Sequence, residues 1–272
     1  MKKLLNAKLL KTWDYIFHYD LNLFKTVVFN LKVFGLKLGW KMPVYLFGKV
    51  KLLNAQKGCM MLSSYSNCCV KIGGGMNCMI YGKRSLYPSV INIKGKVFFG
   101  RQVLLNSGVV LSVGKFGRLT MGDNVAFNVN CRIFCEKEIT IDNSTRISWD
   151  TQIFDTNFHY TTKSGIIKPQ NSPIHIGHHV WIGNRVTISK GVTIPNFCVV
   201  SANSFVNKDF SKNEEQSLIG GIPARLICSD IERIFSFGFE NWLDNYFNGI
   251  TNEMAENENL FEKYNRERSQ NK

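Results

Sequence analysis

The chain has 272 residues, 44% of them hydrophobic and 20% charged, a composition that supports a buried core of one or two domains and excludes a disordered polyelectrolyte. Its formal charge of +14 is unevenly spread: residues 1–57 carry eleven Lys and two Asp, residues 58–228 eighteen basic and nine acidic groups, and residues 229–272 five basic and nine acidic. No stretch approaches the roughly 20 apolar residues that span a bilayer, and the start, MKKLLNAKLLK, loses its likeness to a signal peptide at Asn6, Lys8 and Lys11, so a cytoplasmic protein is expected.

Residues 1–47 place Leu9, Leu10, Trp13, Phe17, Leu21, Phe24 and Val28 near helical spacing with lysines between them, and Pro43 and Gly48 close the segment. A helical N-terminal arm packed on the body or on a neighbouring subunit is the first expectation. An amphipathic arm on the anionic inner face of a membrane is the alternative. Residues 48–92 hold short apolar runs, Cys68–Ile72 and Met79–Tyr81, between Gly and Ser, and read as an irregular β lead-in.

From Ile93 a six-residue rhythm sets in: Ile93, Phe99, Leu105 and Leu111, then Met121, Phe127 and Ile133, then Ile141, Ile147 and Ile153. It is clearest at Ile176, Ile182, Ile188, Ile194, Val200 and Val206, with Val180, Val186, Val192, Cys198 and Ser204 two residues before the last five. A helix repeats near 3.6 residues and a strand near 2, so six fits neither. It fits a flat-sided parallel β-coil with one aliphatic side chain per side pointing inward. The slips in SVGKFGRL and at Glu136–Glu138 are corner insertions, and the long interruption between Ile153 and Ile176 is a loop thrown out from one corner. Such a loop on a rigid scaffold is a place for chemistry. The coil is assigned to residues 93–228, and residues 229–272 read as a C-terminal helix, from Ile231, Ile234 and Phe235 to Phe239, Trp242 and Leu243, that caps the coil and ends in a frayed charged stretch.

Eight Cys, at 59, 68, 69, 78, 131, 135, 198 and 228, form no C-x-x-C pair and are expected as free thiols. Cys198 occupies the small inward slot of a repeat, where a thiol behaves as a small hydrophobe.

The run PIHIGHHVWIGNRVTISKGVTIP, the closing IGGIPARLI and the loop with DTNFH resemble the hexapeptide-repeat acyltransferases, within them the sugar O-acetyltransferase branch that includes maltose, galactoside and capsule or lipopolysaccharide enzymes. The resemblance implies a left-handed parallel β-helix, an exception to the right-handed crossover rule. It also implies a homotrimer with acetyl-CoA held between subunits. The implied reaction moves an acetyl group to a sugar hydroxyl in surface polysaccharide assembly (capsule, O-antigen or exopolysaccharide), with a saccharide or lipid-linked glycan as acceptor and no nucleic acid partner.

A sugar hydroxyl is a poor nucleophile at neutral pH, so a positioned imidazole is its natural base. His159 falls where the family keeps its catalytic His, with Tyr160 in place of the usual Pro. Asp155 is a candidate to orient His159, or else to cap a turn. Asn130 resembles the family position that touches the acceptor, and Trp149 and Asp150 at the next corner could stack on or bond a sugar. For the coenzyme the likeness points to Trp181, Gly183, Asn184, Ser201, Ala202, Asn207, Lys208 and Arg225, with small residues admitting the pantetheine arm and Lys208 and Arg225 facing phosphates. Ser201-Ala-Asn-Ser204 stands where the family has G-A-G-S.

Three rival readings stay open: a small non-sugar acceptor such as an amino acid or antibiotic, a scaffold without catalysis, and a zinc enzyme built on His159, His175, His178 and His179. The last needs ligands that converge on one point, and no metal site is expected.

Overall fold

An aliphatic residue at every sixth position becomes a continuous core when each side of the coil takes six residues and successive turns stack in register. The computed structural model, which describes residues 20–74, 87–251 and 259–270, shows this arrangement. Strands alternate among three parallel sheets, and the chain visits them in the cyclic order face one, face two, face three. The coil is a left-handed parallel β-helix.

Each face contributes one inward column. On face one Leu46, Ile72, Leu105, Phe127, Ile147, Ile182, Val200 and Ile219 lie in register. Face two stacks Leu52, Ile91, Leu111, Ile133, Ile153, Ile188 and Val206. Face three stacks Leu62, Phe99, Met121, Ile141, Ile176 and Ile194. Nearly all of these side chains are fully buried, and with the small inward slots they form one core running along the axis.

The coil starts earlier than the rhythm indicates. Val44–Leu46, Val50–Leu53 and Met60–Leu62 already occupy the three faces, so residues 48–92 hold full strands of the coil and not an irregular lead-in; Met79–Tyr81 lies outside the described residues. Long corners hide the period here, since Leu52, Leu62 and Ile72 are spaced by ten residues. Ile91 holds the column position, and Ile93 is buried one step beyond it.

Corners are made by residues in the left-handed region, among them Asn130, Asp150, Arg185 and Asn203 between faces one and two. Asn and Asp tolerate that region because their short polar side chains bond locally. Each corner hydrogen-bonds the one before it: Asn130 N to Ser107 O, Asp150 N to Val129 O, Arg185 N to Trp149 O and Asn203 N to Asn184 O, at 2.9, 3.1, 3.0 and 2.9 Å. The edges of the solenoid are therefore ladders, with rungs about 4.8 Å apart.

Helix α1 (Leu23–Gly39) covers the open edge of the first strand. Its buried Asn30 donates through Nδ2 to Val44 O at 2.6 Å and accepts from Val44 N at 3.0 Å, while Thr26 Oγ1 accepts from Leu46 N at 3.0 Å. Phe29 and Val33 pack into the core beside them. An exposed strand edge invites pairing with another chain, and α1 closes this one. The expected N-terminal arm thus packs on the body over residues 23–39; Leu9, Leu10, Trp13 and Phe17 lie outside the described residues. At the other end of face one, Ala224–Cys228 folds back antiparallel on Leu218–Gly221.

The chain divides into two compact units, Met1–Glu232 and Arg233–Lys272. The second contains α2 (Phe237–Phe247) and α3 (Leu260–Gln270). Ser236 caps α2 by accepting from Phe239 N, so helix starts later than the apolar spacing from Ile231 indicates. Asn259 and Glu262 form a reciprocal cap on α3, which gives the expected frayed tail a helical segment. Phe239 stacks on Trp242 and on Tyr264.

Candidate active site

The interruption after Gln152–Phe154 on face two runs out and back before Ile174–Ile176 on face three, and carries a short hairpin, Thr162–Lys163 against Ile166–Ile167. Its base is fixed at four points. Thr156 bridges to Asn171, and Lys190 Nζ donates to Pro169 O and Gln170 O at 2.6 and 3.0 Å. Phe158 sets its ring edge-on to Phe134, an outward residue of face two, with centroids 5.6 Å apart. The fourth point is Asp155, whose carboxylate is fully buried.

Asp155 accepts three backbone N–H groups of the preceding corner: Glu136 at 2.7 Å, Lys137 at 2.7 Å and Glu138 at 2.6 Å. Both oxygens are engaged, so this residue clamps two turns of coil and does not turn to His159. His159 is exposed and makes no hydrogen bond among the described residues. Phe158, the residue before His159, takes a left-handed backbone, φ 59°, and its ring is held against Phe134.

The other candidates lie mainly along the two edges that bound face two. Between faces one and two, successive rungs carry Asn130, then Trp149 and Asp150, then Gly183 and Asn184, then Ser201 and Ala202. Asn130 Nδ2 donates to Asp150 Oδ1 at 2.6 Å, which joins the first two rungs. Trp149 is half-buried. At the edge between faces two and three stand the His159 loop and, two turns further on, the exposed Asn207 and Lys208. Lys208 Nζ sits 5.2 Å from the centre of the Phe210 ring.

Two positions read as coenzyme contacts have structural duties instead. A Cβ on Gly183 would meet Ala202 N at 2.7 Å, so the next turn of coil requires glycine there. Gly183 N donates to Val200 O, and its carbonyl accepts from Thr151 Oγ1. Ser201 Oγ pairs with Ser204 Oγ at 3.0 Å, and Ser204 also accepts from Gly221 N, tying the corner to the terminal hairpin. Ala202 is exposed at the edge, and its backbone N–H has no hydrogen-bond partner among the described residues. Trp181 lies on face one with its indole donating to Ser148 Oγ at 3.3 Å, a partner that spacing did not reveal. Arg225 is exposed on the antiparallel strand that ends face one.

The four histidines do not meet at one point. His175 pairs with Asp142 at 2.8 Å on face three. His178 and His179 contact each other and Phe197 at the corner between faces three and one, and His159 stands on its loop. No group of three or more metal-binding side chains converges among the described residues. Cys59, Cys69, Cys131, Cys135 and Cys198 are buried, and Cys228 is exposed. Burial pushes the Cys131 thiol up to about 12 and raises those of Cys135, Cys198 and Cys59 as well. No helix among the described residues is long and apolar enough to cross a membrane.

No family profile matches the chain. It is 32% identical over 153 residues to WbbJ of Escherichia coli K12, a protein named for O-acetyl transfer in lipopolysaccharide biosynthesis, covering 52% of this chain and 76% of that one. It is 30% identical over 146 residues to the galactoside O-acetyltransferase of the same organism, covering 53% and 68%. Among solved structures, a hexapeptide-repeat acetyltransferase of Vibrio cholerae complexed with acetyl-coenzyme A shares 33% identity over 41% of this chain and 60% of that one, with a TM-score of 0.36. The polySia-specific acetyltransferase NeuO covers 76% of this chain and 98% of its own at 17% identity and a TM-score of 0.45.

Proposed function

The chain belongs to the hexapeptide-repeat acetyltransferases, in their sugar O-acetyltransferase branch, and from that membership we propose that it moves an acetyl group from acetyl-CoA to a hydroxyl of a saccharide used in surface polysaccharide assembly. The observation that carries the site assignment is the alignment of candidates along the two edges of face two. Going up the axis come Asn130 and Asp150, then the level from which the His159 loop departs, then Asn184 and Ala202, and at the far edge Lys208. Acceptor contacts, base and coenzyme contacts thus fall in the order that a transfer reaction needs.

In this reading His159 takes the proton of the acceptor hydroxyl as its oxygen attacks the thioester carbonyl. The C–O bond forms, the tetrahedral oxyanion is steadied by backbone N–H groups, and the C–S bond breaks with the electron pair leaving on the coenzyme sulfur, which takes up the proton from the imidazolium. Asp155 serves by fixing the loop base. Ala202 N–H meets the pantetheine arm, Lys208 and Arg225 meet coenzyme phosphates, and a homotrimer completes the groove with a neighbouring copy.

Two measurements test the reading. CoA is expected to raise the Tm of the purified protein, and Lys208→Ala with Arg225→Ala to raise the KM for acetyl-CoA; an unchanged KM removes both residues from the role. Mass spectrometry of the host's surface glycan, with and without the gene, is expected to show loss of a single acetyl group per repeat. An unaltered glycan overturns the pathway.

A further inference from the structure

Between Leu21 and Gly122 the chain contains twelve Lys and three Arg and not one Asp or Glu. This run supplies α1 and the first three turns of the coil, so that end of the solenoid is positive with no carboxylate of its own to neutralise it. Four of these lysines share one place. Lys57, Lys94, Lys96 and Lys115, with Asn54 and Gln56, line a cleft of about 290 Å³.

The four lysines come from three successive turns at the edge between faces two and three. Lys57 precedes Met60–Leu62, Lys94 and Lys96 lie between and at the start of the strands Ser89–Ile93 and Lys96–Phe99, and Lys115 lies between Val110–Val113 and Arg118–Met121. Lys96 Nζ donates to Gly58 O at 2.8 Å, which fixes one ammonium at the cleft. Among the described residues none of the four pairs with a carboxylate. Ammonium groups on neighbouring rungs repel one another, and the repulsion is relieved when an anion enters between them. One carboxylate offers two oxygens, too few for four ammonium groups and two amides. A diphosphate offers more oxygens and more charge.

This edge is also the one from which the His159 loop leaves. The Lys115 corner lies two rungs before Asp155 and the Lys94 corner three, roughly 10 and 14 Å along the axis at the usual strand spacing. One acceptor molecule can span that interval. We infer that the cleft is the anion subsite of the acceptor, which binds as a glycosyl diphosphate with its diphosphate on Lys57, Lys94, Lys96 and Lys115 and its reacting hydroxyl at His159. Calling the ligand an acceptor rests on the acetyl-transfer reading; the anion site itself rests on the lysines. Nucleotide-linked and lipid-linked sugars share the diphosphate, and that shared group is what the cleft holds.

Isothermal titration calorimetry at fixed ionic strength, with and without CoA, tests this. Inorganic pyrophosphate is expected to bind the wild-type protein saturably whether or not CoA is present, and Lys94→Gln with Lys115→Gln to weaken it by about tenfold or more while CoA affinity is unchanged. Lys57→Gln, at a third turn of the coil, is expected to weaken it in the same direction. Equal affinity in wild type and variants, or no saturable binding, overturns the inference. Displacement of pyrophosphate by UDP supports a nucleotide-linked acceptor, displacement by farnesyl diphosphate a lipid-linked one, and displacement by neither overturns the acceptor assignment. Absence of CoA binding in the same titrations counts against acetyl transfer; absence of pyrophosphate binding to the wild-type protein, with CoA binding intact, counts against the cleft.

Discussion

Asn130 and Asp150, twenty residues apart in the chain, face each other from adjacent rungs with Nδ2 and Oδ1 2.6 Å apart, each in the left-handed region at φ near 60°. Neither is a free sugar-binding group: what they present outward is a bonded pair. Asn130→Asp would set two carboxylates in contact, and one of them must then hold its proton. The repulsion raises the folded pKa of the pair, and each pKa unit gained costs about 1.4 kcal/mol where both are ionised. The variant's Tm is expected below that of wild type at pH 8, with the gap closing as pH falls through the raised folded pKa and vanishing below the unfolded carboxyl value of about 4. A gap independent of pH would contradict the pairing.

Removing Asp155 strands three backbone N–H groups of the preceding corner. Asp155→Ala is expected to lower stability by about 3–5 kcal/mol, and Asp155→Asn, which keeps one acceptor oxygen, by less. Urea denaturation measures both. A variant of undiminished stability and lowered kcat would restore the orienting role and remove the clamp.

For His159 the pattern should be the reverse. His159→Ala leaves no partner orphaned among the described residues, so its Tm is expected to match wild type while kcat falls by about two to four orders of magnitude. Phe158→Ala loses the ring contact with Phe134, worth about 0.5–1.5 kcal/mol, and is expected to reduce kcat without abolishing it. Near-normal turnover in His159→Ala would end the assignment.

Thiol labelling separates the cysteines by burial. Iodoacetamide at pH 8 is expected to modify the exposed Cys228 and to spare Cys131, Cys135 and Cys198 until the protein is denatured. Burial holds the Cys131 thiol up at about 12, well above the ordinary range of a free thiol. Its contribution to stability is therefore complete below pH 9 and is lost as pH rises toward about 12, since the unfolded chain ionises first. Cys131→Ala is expected to flatten that part of the alkaline unfolding curve.

Helix α1 and its C-cap leave Phe24, Leu36 and Trp40 each more than 70% exposed, and Lys32, Lys37 and Lys41 are exposed on the same segment. Deleting the helix would uncover Phe29 and Val33, so point variants are the better probe. If the arm also touches a membrane, Phe24→Ser with Trp40→Ser should reduce co-sedimentation with phosphatidylglycerol vesicles several-fold and leave Tm unchanged. Binding unaltered by the pair assigns α1 to the body alone.

How much of this was legible in the chain varied with how local the signal is. The six-residue period revealed the inward columns from Phe99 onward because one residue per face repeats without dependence on partners. The first turns were hidden by ten-residue spacings, although Leu52, Leu62 and Ile72 stack like the rest. For Asp155 the sequence leaves two roles open, orienting His159 or capping a turn, because the partners that decide lie 17 to 19 residues away and are reached only after the coil closes. Gly183 looked like an opening for a ligand, and its true constraint is the backbone of Ala202 one turn on. His159 stands out because a motif places it; the contact of its neighbour Phe158 with the Phe134 ring, which anchors the loop beside it, carries no motif at all.

A ladder of identical rungs is also a ruler. The distance from the lysine cleft to the His159 loop is a whole number of turns, so it can change only in graduations of about 4.8 Å. Excising one complete turn between Lys115 and Asp155 would shorten the measured interval by one mark and leave each remaining turn on a compatible neighbour. The acceptors such a protein preferred would then shift in length by a step and not by a drift.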